Sequence, residues 1–126
     1  MPEFSLRLAL ISAALLLASC ASQPAEPAAT PQPSWLKALI QRLATEPLTN
    51  PPASVLRYQY QGQTVYYLPP QCCDFPSTLL DADGNKLCSP DGGLTGRGDR
   101  QCPDFFSAVG EPELVWKDSR IRERRR

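Results

Sequence analysis

The chain has 126 residues, with 13 basic and 13 acidic side chains and no histidine, so its formal net charge is zero. The missing imidazole excludes Ser–His and Cys–His nucleophile pairs, histidine metal ligands and a pH switch near neutrality. One domain is all this length allows, and a core of about 85–90 residues buries only about 60–65% of its unfolded surface.

Residues Met1 to Arg7 place Arg7 against Glu3, and Leu8 to Leu17 is an unbroken run, LALISAALLL. That run is too short to cross about 30 Å of hydrocarbon as a helix and fits the apolar core of a signal peptide. Leu17-Ala18-Ser19-Cys20 follows and resembles the bacterial lipobox. Small residues there fit a narrow peptidase cleft, and the Cys20 thiol is the nucleophile that accepts diacylglycerol. Cleavage then frees an amine for a further acyl chain such as palmitate. Each buried methylene contributes about 0.8 kcal/mol, so several chains anchor stably where one does not. Ala21 rather than Asp follows Cys20. By resemblance to the enterobacterial sorting scheme, this implies the outer membrane, facing the periplasm.

Residues 1–19 are thus expected to be a lipoprotein signal peptide, and 20–33 a lipidated cysteine and a Pro/Ala-rich tether, ASQPAEPAATPQP after Cys20. Proline at this density favours extended chain and reaches up to about 40 Å. A folded domain is expected over 34–118.

Ser34 reads as an N-cap ahead of a helix over about 34–45. Leu36, Leu39, Ile40 and Leu43 fall on one stripe, with Trp35 beside it. Glu46-Pro47 ends the helix. The period then changes to two: Leu56, Tyr58 and Tyr60 share one face, while Val55, Arg57 and Gln59 share the other. Gln61-Gly62-Gln63 is a turn, and Thr64 to Leu68 is a second strand rich in β-formers. The tyrosine face is expected to pack against a helix rather than to bind a ligand. Thr78 to Asp81 and Lys86 to Cys88 are short strands around Ala82-Asp83-Gly84-Asn85, where Asp-Gly signals a hairpin. Ser89 to Arg100 is a glycine-rich loop. Cys102-Pro103-Asp104 starts a short helical turn bearing Phe105 and Phe106, and Leu114-Val115-Trp116 offers a last strand. Residues 119–126 form a basic tail expected to be frayed from Arg120 onward and disordered. From Lys117 to Arg126 six basic side chains stand against Asp118 and Glu123; between Cys20 and Trp116 six stand against ten acidic ones. An anionic surface is a weak candidate contact for the tail, and nucleic acid is not an expected partner outside the cytoplasm.

After Cys20 four cysteines remain, Cys72, Cys73, Cys88 and Cys102, and an even number in an exported chain argues for two disulfides. A bond between the adjacent Cys72 and Cys73 closes a strained ring and ranks last. That leaves Cys72–Cys88 with Cys73–Cys102, or Cys72–Cys102 with Cys73–Cys88, with nothing in the sequence to choose between them. The spacing lacks C-x-x-C and gives a poor set of tetrahedral thiolates. Asp81, Asp83 and Asn85 resemble the start of a calcium loop, but Gly84 comes too early and no closing glutamate follows. Asp91, Asp99 and Asp104 are weak candidates for metal-ligating oxygens in the loop region. No catalytic motif appears, and no cofactor is expected.

Several runs together resemble an uncharacterised domain of small bacterial exported proteins. They are Val55 to Gly62, Val65-Tyr66-Tyr67, Cys72-Cys73-Asp74, Leu80 to Gly84, Leu87 to Gly93 and Gly96-Arg97-Gly98-Asp99. The likeness covers about Trp35 to Trp116 and brings no activity. The element order is also similar, at the level of fold alone, to small PepSY-like or lactamase-inhibitor-like domains.

The expected fold is α+β: one N-terminal helix on a small antiparallel sheet of about four strands, stapled by disulfides, with a glycine-rich loop. The expected role is that of a membrane-anchored lipoprotein, a non-enzymatic binding or envelope-structural module with a possible envelope protein partner. The alternatives are an inhibitor-like domain that inserts the 89–100 loop into a partner, or an enzyme that depends on calcium, carboxylates or thiols.

Overall fold

The computed structural model describes residues 31–72 and 74–120. The expected signal peptide, Cys20, most of the expected tether, Cys73 and the residues after Arg120 lie outside them. Helix α1 spans Ser34–Thr45. Ser34 is its first helical residue rather than its cap. Pro33 takes that place, its carbonyl accepting the N–H groups of Leu36 at 3.1 Å and Lys37 at 3.2 Å, with no side-chain cap. Glu46 turns to extended backbone, as a residue before proline must.

Strands β1 (Ser54–Tyr60), β2 (Gln63–Leu68), β3 (Thr78–Leu80), β4 (Lys86–Cys88) and β5 (Glu113–Lys117) form one sheet. A four-residue helix, α2 (Phe105–Ala108), precedes β5. Strand order is β4-β3-β2-β1-β5, and all four pairings are antiparallel. The segment around Leu114–Trp116 thus raises the sheet from about four strands to five.

The alternation in β1 sorts the core into two clusters. Val55 packs on one face with Tyr66, Leu36 and Leu43, supported by Leu80 and Trp116, so α1 covers that face. Tyr58 and Tyr60 point to the other face, with Val65, Tyr67, Leu79 and Phe105. The tyrosines therefore meet α2 and the chain leading to it, not α1. Phe105 is fully buried and lies edge-on to Tyr58 and Tyr60 at 5.2 and 5.3 Å, and stacked on Tyr67 at 5.8 Å. Such ring pairs contribute about 0.5–1.5 kcal/mol each beyond their burial.

Two long-range ties fix α1 to the sheet. Trp35 donates its indole N–H to the Ala82 carbonyl at 3.0 Å and meets Tyr66 edge-on. Its ring lies where a Cβ on Gly84 would sit, 2.7 Å away, and Gly84 has φ +87°. At the other helix end the Arg120 guanidinium pairs with buried Asp118 and donates to the carbonyls of Leu43 and Glu46. Arg120, expected at the start of the frayed tail, instead caps the helix C-terminus, where a cation is favoured.

Replacing Phe105 removes the plug of the second core. Phe105→Ala is expected to lower stability by about 3–5 kcal/mol. Thermal melts of the two proteins check this; a shift of only a degree or two would mean the plug is dispensable.

Candidate functional site

The glycine-rich segment between β4 and α2 forms a braced loop. At its base Asp99 N–H donates to the Ser89 carbonyl, and Ser89 N–H donates to Asp99 Oδ2, both at 2.9 Å. Gly98 N–H reaches the Gly92 carbonyl at 3.0 Å. A Cβ on Gly98 would stand 1.7 Å from the Ser89 oxygen, so only glycine allows this crossing. Gly93 N–H bonds the Phe75 carbonyl, and Ser77, fully buried, exchanges bonds with the backbone of Asp91. Gly96 N–H closes the outermost turn on the Gly93 carbonyl at 3.1 Å, so Leu94 and Thr95 form the tip. Leu94 is 88% exposed there, and Phe75, on the segment bonded to Gly93, is 66% exposed.

The loop base also decides the disulfide. Cys88 precedes Ser89 and Cys102 follows Asp99 by three residues, so the Ser89–Asp99 pair brings the two sulfurs together. Cys88 bonds Cys102 across a Cα separation of 6.2 Å. Both pairings expected from the sequence are therefore wrong. They set aside the hairpin-like closure that places these two residues side by side. Cys72 is also disulfide-bonded. The expected pairing of Cys73 lies outside the described residues.

The acidic side chains go to separate tasks. Asp91 Oδ1 accepts the Tyr67 hydroxyl at 2.8 Å, and Asp104 Oδ1 accepts the Tyr60 hydroxyl at 2.9 Å. Asp99 accepts the N–H groups of Ser89 and Gln101. Asp81 folds the β3–β4 turn, accepting the backbone N–H groups of Asp83 and Asn85 and the Asn85 amide. Those bonds hold its carboxyl below the usual carboxylate range. Among the described residues no three Asp, Glu, Cys or His side chains gather where they could hold a metal ion. The tyrosine–aspartate pairs link residues 24 and 44 positions apart, and no local spacing signals them.

Burial, and then the bond to Asp91, push the Tyr67 phenol well above its ordinary 10.0. Burial and then the bond to Asp104 raise the Tyr60 phenol, and burial and then the nearby carboxylates of Glu111 and Asp91 raise that of Tyr58. The hydroxyl that holds the loop at Asp91 and the one that holds Asp104 thus belong to phenols whose proton the fold favours.

The family model for a domain of unknown function (DUF6970) matches residues 41–118. No curated protein and no solved structure matches the chain.

Two outcomes follow from the anchors. Peptide mapping without reductant should recover Cys88 linked to Cys102. The double variant Cys88→Ala/Cys102→Ala should lose about 3 kcal/mol, the value for closing a loop of about 15 residues. An unchanged melting temperature would show that the bond does not hold the loop. For the phenols, a raised pKa in the fold favours the neutral form. That stabilisation is intact below the unfolded value of about 10 and is lost as pH climbs through the folded one. Melting temperature should therefore fall above about pH 10, and less steeply in Tyr67→Phe; parallel curves would remove Tyr67 from the account.

Proposed function

The chain belongs to the family of the domain of unknown function DUF6970, and from that premise we propose a lipid-anchored, non-enzymatic binding module of the bacterial envelope that inserts its Ser89–Arg100 loop into a protein partner. Leu94 carries the reading. A large apolar side chain stands 88% exposed at the tip of a loop that is hydrogen-bonded at its base, waist and tip. Ordering a loop on binding costs free energy, and a loop already ordered by folding avoids that cost. A few side chains seated in well-packed pockets of the partner carry most of the energy of many interfaces. Phe75, whose carbonyl bonds Gly93, is a second large apolar side chain left exposed on the segment that braces the loop.

The anchor rests on Leu17-Ala18-Ser19-Cys20, and the Cys88–Cys102 bond fits the oxidising compartment to which such a sequence delivers. The Pro/Ala-rich tether would give the domain about 40 Å of reach from the membrane to search for its partner.

A photocrosslinking residue placed at Leu94 in intact cells should trap one discrete protein, and the same residue at exposed Gln59 should not. Leu94→Asp should leave the melting temperature unchanged, since exposed sites outside special features shift stability by less than about 0.5 kcal/mol. The same change should weaken capture by about tenfold or more. Cys20→Ser should move the chain from the membrane to the soluble fraction. An absent adduct at Leu94, or an identical one at Gln59, would end the loop reading. Membrane retention of the Cys20 variant would end the anchor.

A further inference from the structure

The end of the sheet where β1 turns into β2 carries a second feature, independent of the loop tip. Tyr60 pairs with Gln63, so Gln61-Gly62 is a two-residue turn, with φ +51° at Gln61 and +75° at Gly62. This turn favours Asn or Gly at its first position, and Gln is an uncommon choice. Arg100 is the other non-glycine residue with positive φ among the described residues, at +63°. Gln61 lines a cleft of about 280 Å³, and Arg100 immediately precedes another lining residue, Gln101. Residues held in sparsely populated backbone regions cluster at ligand sites.

The cleft has a consistent chemistry. Its lining includes the buried residues Tyr60, Val65, Cys88 and Cys102, and exposed Leu87. Its exposed polar lining residues are Gln61, Gln63 and Gln101, and no charged residue lines it. Two carboxylates that bond lining residues are engaged, Asp104 by the Tyr60 hydroxyl and Asp99 by the N–H groups of Ser89 and Gln101. Each glutamine amide presents two donors and an acceptor. An apolar lining beside neutral amides matches a sugar ring, which has an apolar C–H face and a girdle of hydroxyl or acetamido groups. The volume lies just under the roughly 300–1,000 Å³ of drug-sized sites, enough for one ring and not for several.

We infer that this cleft binds a single uncharged sugar ring of a glycan, held by Gln61, Gln63 and Gln101 against the Val65 and disulfide lining. Charged saccharides gain nothing from a wall without counter-charges. The disulfide takes on a second task as part of the cleft lining.

Saturation-transfer NMR on the full chain tests this, with N-acetylglucosamine trimer as one probe and maltotriose as the other. Saturable transfer to the ring protons of either sugar is expected, weakened about tenfold by Gln101→Ala, the loss of roughly one good hydrogen bond. Gln61→Gly should weaken binding similarly while relieving its backbone, so that its melting temperature does not fall; this separates lost binding from lost folding. No saturable transfer with either trimer, or affinities untouched by both variants, would overturn the assignment.

Discussion

An antiparallel sheet buried on both sides has two faces to cover, and among the described residues only α1 is a helix of more than about one turn. The second face depends on Phe105, which sits fully buried among Tyr58, Tyr60 and Tyr67. The chain that delivers it is irregular, and irregular chain does not satisfy its own backbone as a helix does. Long-range bonds from the sheet must hold it. The Cys88–Cys102 bond ties it to β4, Tyr67 grips Asp91, and Tyr60 grips Asp104. Phe105 stays buried only while those ties bring the segment back over the sheet.

The same constraint explains where the acidic residues went. A tyrosine-lined core brings hydroxyl groups to its rim, and each needs an acceptor if it is not to lose hydrogen bonding on burial. Asp91 and Asp104 meet that need, while Asp99 and Asp81 fold backbone turns. No side-chain nitrogen or oxygen buried in the described residues lacks a partner. Residues that look in the sequence like a loose set of oxygen ligands are thus spent on the architecture, one at a time.

The regular part of this fold is legible from the residues, because it is local. The stripe Leu36, Leu39, Ile40 and Leu43 marks α1 to its observed bounds. The alternation from Val55 to Tyr60 assigns each side chain of β1 to the correct face, and Asp83-Gly84 marks the β3–β4 turn. What the sequence hides is non-local. The disulfide pairing turns on Ser89 meeting Asp99, and that crossing turns on Gly98 having no Cβ. Ser77, fully buried against Asp91, gives no sign of its role in a local window. Arg120 reads as tail because its partners at the C-terminal end of α1, Glu46 and Leu43, are 74 and 77 residues away. The candidate loop was visible as a run of glycines, but its rigidity was not. Glycine-rich sequence alone describes flexible chain equally well, and only the bonds that cross the loop separate the two.

Folding therefore accounts for the residues that brace the loop and fails to account for Leu94 at its tip. Asp91, Gly98 and Asp99 each have a partner or a steric reason to be there. Leu94 has neither; a polar residue would fold as well and keep less apolar surface in water. A single exposed leucine is ordinary on protein surfaces and by itself needs no explanation. Its setting makes the difference. Loops that merely connect elements tolerate motion and variation, whereas this one is bonded at three levels below a side chain that contributes nothing to the core. Rigidity without a packing role gains its physical sense at an interface, where the ordering has been done in advance and the apolar surface is finally covered.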